Sequence, residues 1–168
     1  METSLPKDRG PGPGQAGDAA QPAIARARAE RDALVLAMQS LEAALASPAP
    51  GRERAWLKQV ASSLEELGAA VQQHLASTDA PGGLYQAVDQ TWPTLMHRVE
   101  RLRKEHASLA AQVEALRQQC AGYAPDETPN YHDLRRRAHW LLSALRHHQA
   151  AEADLIFEAF YTDIGIGD

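Results

Sequence analysis

Cysteine occurs once in 168 residues, at Cys120, so the chain closes no disulfide on itself. A disulfide-stapled scaffold is excluded, and an oxidising compartment is not required. Aromatic residues make up 5%, Val occurs six times and Ile four. Sandwiches and barrels lean on those residue types, so both are disfavoured. No apolar run approaches the ~18–20 residues that a membrane-spanning helix needs. The N-terminus lacks the charged-then-apolar layout of a secretory signal, which makes cytoplasmic the expected location. Basic residues are outnumbered, 17 against 22, for a net charge of −5. A nucleic-acid partner therefore has no electrostatic footprint. Also missing are a phosphate-binding loop, a dinucleotide fingerprint and a nucleophile–base pair. Hydrolase and transferase chemistry thus finds no support.

What abounds is alanine, at 32 residues, the best helix former. Residues 1–21 are dominated by Gly, Pro and small polar side chains and read as a disordered tail. Pro22 then suits the first position of a helix. Four long helices are predicted, over about Pro22–Ser47, Arg52–Thr78, Pro93–Cys120 and Tyr131–Tyr161. In each, apolar residues recur in alternating steps of three and four. Thus Leu57, Val60, Leu64, Leu67 and Val71 lead without a miss to His74 and Thr78. Pro- and Gly-bearing breakers at 47–51, 79–83 and 121–130 separate the helices. Leu84 to Gln90 reads as a short helical turn inside the second connection. The expected fold is all-α: an antiparallel up-down-up-down four-helix bundle over residues 22–168 behind a disordered tail.

Polar residues sit on every inward stripe. They are Arg31 on the first helix, His74 and Thr78 on the second, His106 on the third, and His148 and Glu152 on the fourth. Buried charges and imidazoles are costly unless paired or bound to a metal. In an antiparallel bundle their positions fall toward the same end, at depths of ~8–20 Å. Bundles build metal sites from convergent His and carboxylate groups on facing helices. His148 and Glu152, at i and i+4, can reach one ion. Asp79, at i+5 from His74, can reach in if the helix ends there. Imidazole with carboxylate suits iron, zinc or manganese, and the lack of thiolates argues against copper(I) or iron–sulfur.

These residues resemble the hemerythrin family of His/Glu cation-binding bundles. The resemblance covers roughly residues 22–168 and rests on RVERLRKEH (98–106), HLASTDAPGGLY (74–85) and HHQAAEADLIFEAFYTDIG (147–165). AERDALVLAMQSLEAALASPAPG (29–51) is similar, more distantly, to the family's first helix. The resemblance implies non-haem iron on His74, His106, His148 and Glu152, with Asp79 as a displaced carboxylate. His147 with Glu152 is a rival register on the fourth helix. It implies binding or sensing of oxygen, nitric oxide or peroxide, or iron handling; a peroxide-consuming redox enzyme is a weaker reading. The first helix departs from the pattern, since the family's Glu-His is Glu30-Arg31 here. A guanidinium donates no lone pair to a metal. One ion instead of two is therefore expected, or none. In the metal-free alternative the chain is a structural or interaction bundle in which Arg31 and Glu152 fill the former site as an ion pair.

The remaining candidates have plainer readings. Cys120 continues an apolar stripe and reads as a small core residue. His97, His132 and His139 fall off the stripes and read as solvated. Arg135-Arg136-Arg137 reads as a helix surface, with anion binding as its alternative. Trp92, Trp140, Tyr123 and Tyr131 read as packing residues at helix ends. The terminal Asp163-Ile164-Gly165 resembles a tail found in this branch of the family.

Overall fold

Alternating three- and four-residue steps place the apolar residues of each helix on one stripe, and burying those stripes sets the architecture. The computed structural model describes the backbone of residues 13–124 and 126–161 and side chains from residue 20 onward. Most of the predicted tail and the Asp163-Ile164-Gly165 segment lie outside the described residues. Within them are five α-helices and no strand. The helices are α1 (Pro13–Ala46), α2 (Glu53–Thr78), α3 (Leu84–Thr91), α4 (Met96–Ala121) and α5 (Tyr131–Phe160), with a 3-10 turn at Pro93–Leu95. No helix among the described residues is long and apolar enough to cross a membrane.

Helix α1 packs on α2, α2 on α4, α4 on α5, and α5 back on α1. Polar cross-links show the direction of each pair. Ser40 bonds Glu66 and Ser77 bonds Glu30 between α1 and α2. Arg117 bonds Glu65, and Arg103 bonds Asp79 at the end of α2. Gln119 reaches Asp133, and Arg98 pairs with Glu158 across α4 and α5. Arg146 pairs with Glu42, and Arg28 bonds Tyr161 across α5 and α1. In every pair one number rises as the other falls, so packed neighbours run antiparallel.

Two apolar clusters fill the interior. The larger includes Leu34, Leu41, Leu64, Val71, Leu109 and Leu145. The smaller includes Ile24, Ala27, Tyr85, Val88, Leu102 and Leu155. Their boundary falls at one height, which α1, α4 and α5 cross and at which α2 ends. Arg31 lies between Ala27 and Leu34, His74 just beyond Val71, His106 between Leu102 and Leu109, and His148 with Glu152 between Leu145 and Leu155. The polar residues that interrupt the stripes therefore form one layer.

Several elements differ from expectation for identifiable reasons. Helix α1 begins at Pro13, inside the predicted tail, and carries Pro22 within it. Proline there removes one helical hydrogen bond. Burial of Ala20, Ile24 and Ala27 in the smaller cluster offsets that loss. The turn at Leu84–Gln90 is a complete eight-residue helix, α3, which buries Leu84, Tyr85 and Val88. Trp140 stands near the middle of α5 and is 73% exposed, so it is not an end-packing residue. Trp92, Tyr123 and Tyr131 do pack against the clusters. Arg135 does not belong to the helix surface. It donates to the Leu45 carbonyl at 2.8 Å and to the Ser47 carbonyl at 2.6 Å. These satisfy carbonyls that the end of α1 leaves open. Cys120 is buried as expected, and burial pushes its thiol up to about 11.

The turn between α2 and α3 tolerates no side chain at Gly83. A Cβ there would lie 2.4 Å from the Ser77 carbonyl oxygen, 2.6 Å from that of Thr78 and 2.8 Å from that of Ala80. Backbone cannot yield as a flexible side chain would. Gly83→Ala is expected to lower stability by ~1–3 kcal/mol in urea unfolding, the range for overpacked sites. An unchanged midpoint would contradict the close approach.

Candidate metal centre

Four side chains converge in the polar layer: His74 from α2, His106 from α4, and His148 and Glu152 from α5. Each is 1–2% exposed. One ligand atom from each lies within 4.8 Å of the others. The ring centroids are 5.3 Å apart for His74 and His106, 5.8 Å for His74 and His148, and 4.7 Å for His106 and His148.

The protons of this layer can be counted. His106 Nδ1 donates to Asp79 Oδ2 at 3.1 Å, and His148 Nδ1 donates to Glu105 Oε2 at 3.1 Å. A carboxylate only accepts, so each ring carries its proton on Nδ1 and leaves Nε2 bare. The two Nε2 atoms face each other at 3.0 Å. Tyr85 brings its hydroxyl to 3.2 Å from His106 Nε2. That is one O–H proton among several acceptors. His74 has no hydrogen-bond partner on either ring nitrogen, and Glu152 has none on Oε1. Its Nε2 stands 3.6 Å from that oxygen, too far for a hydrogen bond.

Electrostatics keep the imidazoles neutral. Burial, reinforced by the other imidazoles and by Arg31, holds His74 down to about 3. Burial also lowers His106 and His148. It raises Glu152 to about 7, with Tyr85 and Arg31 pulling the other way. Burial raises the Tyr85 phenol as well, so its proton is firmly held. Neutral imidazoles whose outer nitrogens are tied to carboxylates are the form in which His binds metals. Donors around one ion at ~2.0–2.2 Å lie roughly 3–4 Å apart, so small side-chain adjustments fit these four to an ion.

The other expected site residues fall in distinct places. Asp79, 38% exposed at the side chain, stands behind His106 and outside the group of four. Thr78 is buried, but its hydroxyl donates to the His74 carbonyl at 2.7 Å and is satisfied there. His147 is exposed, so the inward register on α5 is His148 with Glu152. Arg31 is half-buried, and its guanidinium donates to the Gln149 carbonyl at 3.3 Å. Among the described residues no ion pair joins it to Glu152 or Asp79. His97, His132 and His139 are exposed. Arg136 pairs with Asp133, and Arg137 bonds Gln119.

Two residues of the centre escaped the sequence reading. Tyr85 lies on α3, whose apolar face Leu84, Tyr85 and Val88 is the signal that points it inward. Glu105 orients a histidine of another helix, which no spacing along one chain reveals. No family model matches the chain, and neither does any curated protein or solved structure.

The lowered imidazoles set a pH dependence for the metal-free protein. The unfolded chain binds protons on these rings near the ordinary 6.5, whereas folded His74 resists until about 3. Stability should therefore fall as pH drops from 6.5 toward 3. Glu152 opposes this, since its raised value costs stability as pH climbs from 4.5 to about 7. Three lowered rings outweigh one carboxyl on the acid side. Urea unfolding of chelator-treated protein should show the loss, and equal stability at pH 4 and 7 would count against neutral imidazoles.

Proposed function

We propose that the chain is a hemerythrin-like up-down-up-down bundle that holds one non-haem iron ion on His74, His106, His148 and Glu152. Its role would be to bind or sense oxygen, nitric oxide or peroxide, or to handle iron. The supporting observation is the shortage of protons in the layer. The Nε2 atoms of His106 and His148 face each other bare at 3.0 Å, beside an unpartnered His74 and Glu152 oxygen. A cation satisfies all of these lone pairs at once. The segments at 74–85, 98–106 and 147–165 that resemble the family carry all four donors.

Iron bound here would supply a redox-active Lewis acid with positions to spare for a small ligand. The chain's own residues do the rest. Asp79 and Glu105 hold two rings with Nε2 inward. The apolar clusters on both sides keep bulk water from the layer. Tyr85 offers the O–H donor inside it. Arg31, where the family has His, puts a fixed cation beside His74 and Glu152 and limits the site to one ion.

The metal-free alternative draws on the same Arg31. It requires the guanidinium to neutralise Glu152, yet Glu152 Oε1 has no hydrogen-bond partner. The metal reading accounts for that atom, and the ion-pair reading does not.

Elemental analysis of protein grown in iron-rich medium should find close to one metal per chain. His106→Ala should cut that content at least tenfold. Less than a tenth of an equivalent in the unmodified protein overturns the proposal. At metal about a hundredfold above Kd, the melting temperature should rise by roughly 5–10 °C over chelated protein. Arg31→His should lift the metal content above one per chain, because it removes a cation and adds an imidazole. No change there would mean that Arg31 does not limit the stoichiometry.

A further inference from the structure

A centre whose donors are 1–2% exposed has to be filled through the protein. Between α4 and α5 lies a cleft of about 370 Å³, lined by Glu105, Ser108, Ala144, His147, His148 and Ala151 among others. His148 thus belongs both to the cleft and to the buried group of four. Glu105 links the two environments. Its side chain is 38% exposed, yet Oε2 accepts from His148 Nδ1 at 3.1 Å. His147 is exposed and lines the same cleft. An imidazole and a carboxylate therefore stand at the mouth, with a second imidazole behind them.

We propose that this cleft is the route by which a divalent cation reaches the centre, with His147 and Glu105 capturing it at the surface and His148 passing it inward. The inference rests on the metal-binding reading above. Each transfer exchanges one lone-pair donor for another, so no electron moves. Pairing distinguishes the two sides of the layer. The corresponding carboxylate behind His106, Asp79, is paired with Arg103, which also pairs with Asp89 and lies over the Tyr85 ring. That guanidinium already engages Asp79 Oδ1 at 3.4 Å. Glu105 is paired only loosely with Arg101, at 3.7 Å between exposed side chains. Sterics agree, since Ala144 and Ala151 are the α5 residues that flank His148 in the cleft wall. Methyl groups leave the ring room to turn.

Stopped-flow absorption with cobalt(II) and chelator-treated full-length protein tests the route. His147→Ala should slow cobalt uptake several-fold, and Ser108→Trp, which fills the cleft from an exposed position, at least tenfold. Final cobalt content per chain should stay the same in both. His97→Ala, exposed elsewhere, should take up cobalt at the unmodified rate. If both cleft variants load as fast as the unmodified protein, the route is wrong and the metal reading stands. If the unmodified protein takes up no cobalt, the metal reading fails and the route fails with it. His147→Ala changes an exposed side chain, so it carries the test even if the tryptophan variant does not fold.

Discussion

Nε2 of His106 and Nε2 of His148 face each other at 3.0 Å in a space that solvent barely reaches. Each ring has turned its proton outward, to Asp79 and to Glu105. Two lone pairs repel at that distance unless something positive stands between or beside them. An unsatisfied buried polar group costs ~1–3 kcal/mol, and this layer gathers several. Much of the surrounding construction follows from that constraint. The carboxylates at the rim fix the tautomers, and Arg103 anchors one of those carboxylates. Tyr85 contributes a hydroxyl proton beside His106 Nε2. The apolar clusters above and below raise the cost of every unmatched charge.

The long helices were legible because alternating three- and four-residue steps leave little choice of face. The same steps made the site legible. His74, His106, His148 and Glu152 stood out as polar residues on apolar stripes, and all four proved to be buried together. What the pattern could not supply was anything that depends on a second helix. Glu105 lies on a half-exposed face of α4 and matters only because α5 brings His148 beside it. Asp79 was expected as a displaced ligand, but the α2–α3 turn sets it behind His106 and outside the group of four. The start of α1 was misplaced for a related reason. Pro22 reads locally as a helix start, and the burial that carries α1 past it comes from other helices.

Arg31 shows how one residue changes the meaning of a site. A histidine there would add a neutral donor, whereas an arginine adds a permanent charge on a long arm. The arm is anchored on the Gln149 carbonyl, one residue beyond His148. From there the charge acts at a distance, helping to keep His74 unprotonated and drawing Glu152 back toward its ionised form. Both effects keep donor lone pairs free on His74 and Glu152. The ion pair that simple charge matching suggests is unnecessary to this role.

The division of the interior into two clusters bears on how the chain comes apart. Helices α1, α4 and α5 contribute to both clusters and α2 ends at their boundary, where the polar layer holds unpartnered atoms on His74 and Glu152. The described residues thus form two hydrophobic bodies sharing three helical rods across a polar waist. Local unfolding follows such seams, because cooperativity ends where packing does. An end built from α3 and the outer turns of α1, α4 and α5 can open while the larger body stays folded. A cation bound at the waist would tie the two halves into one folding unit.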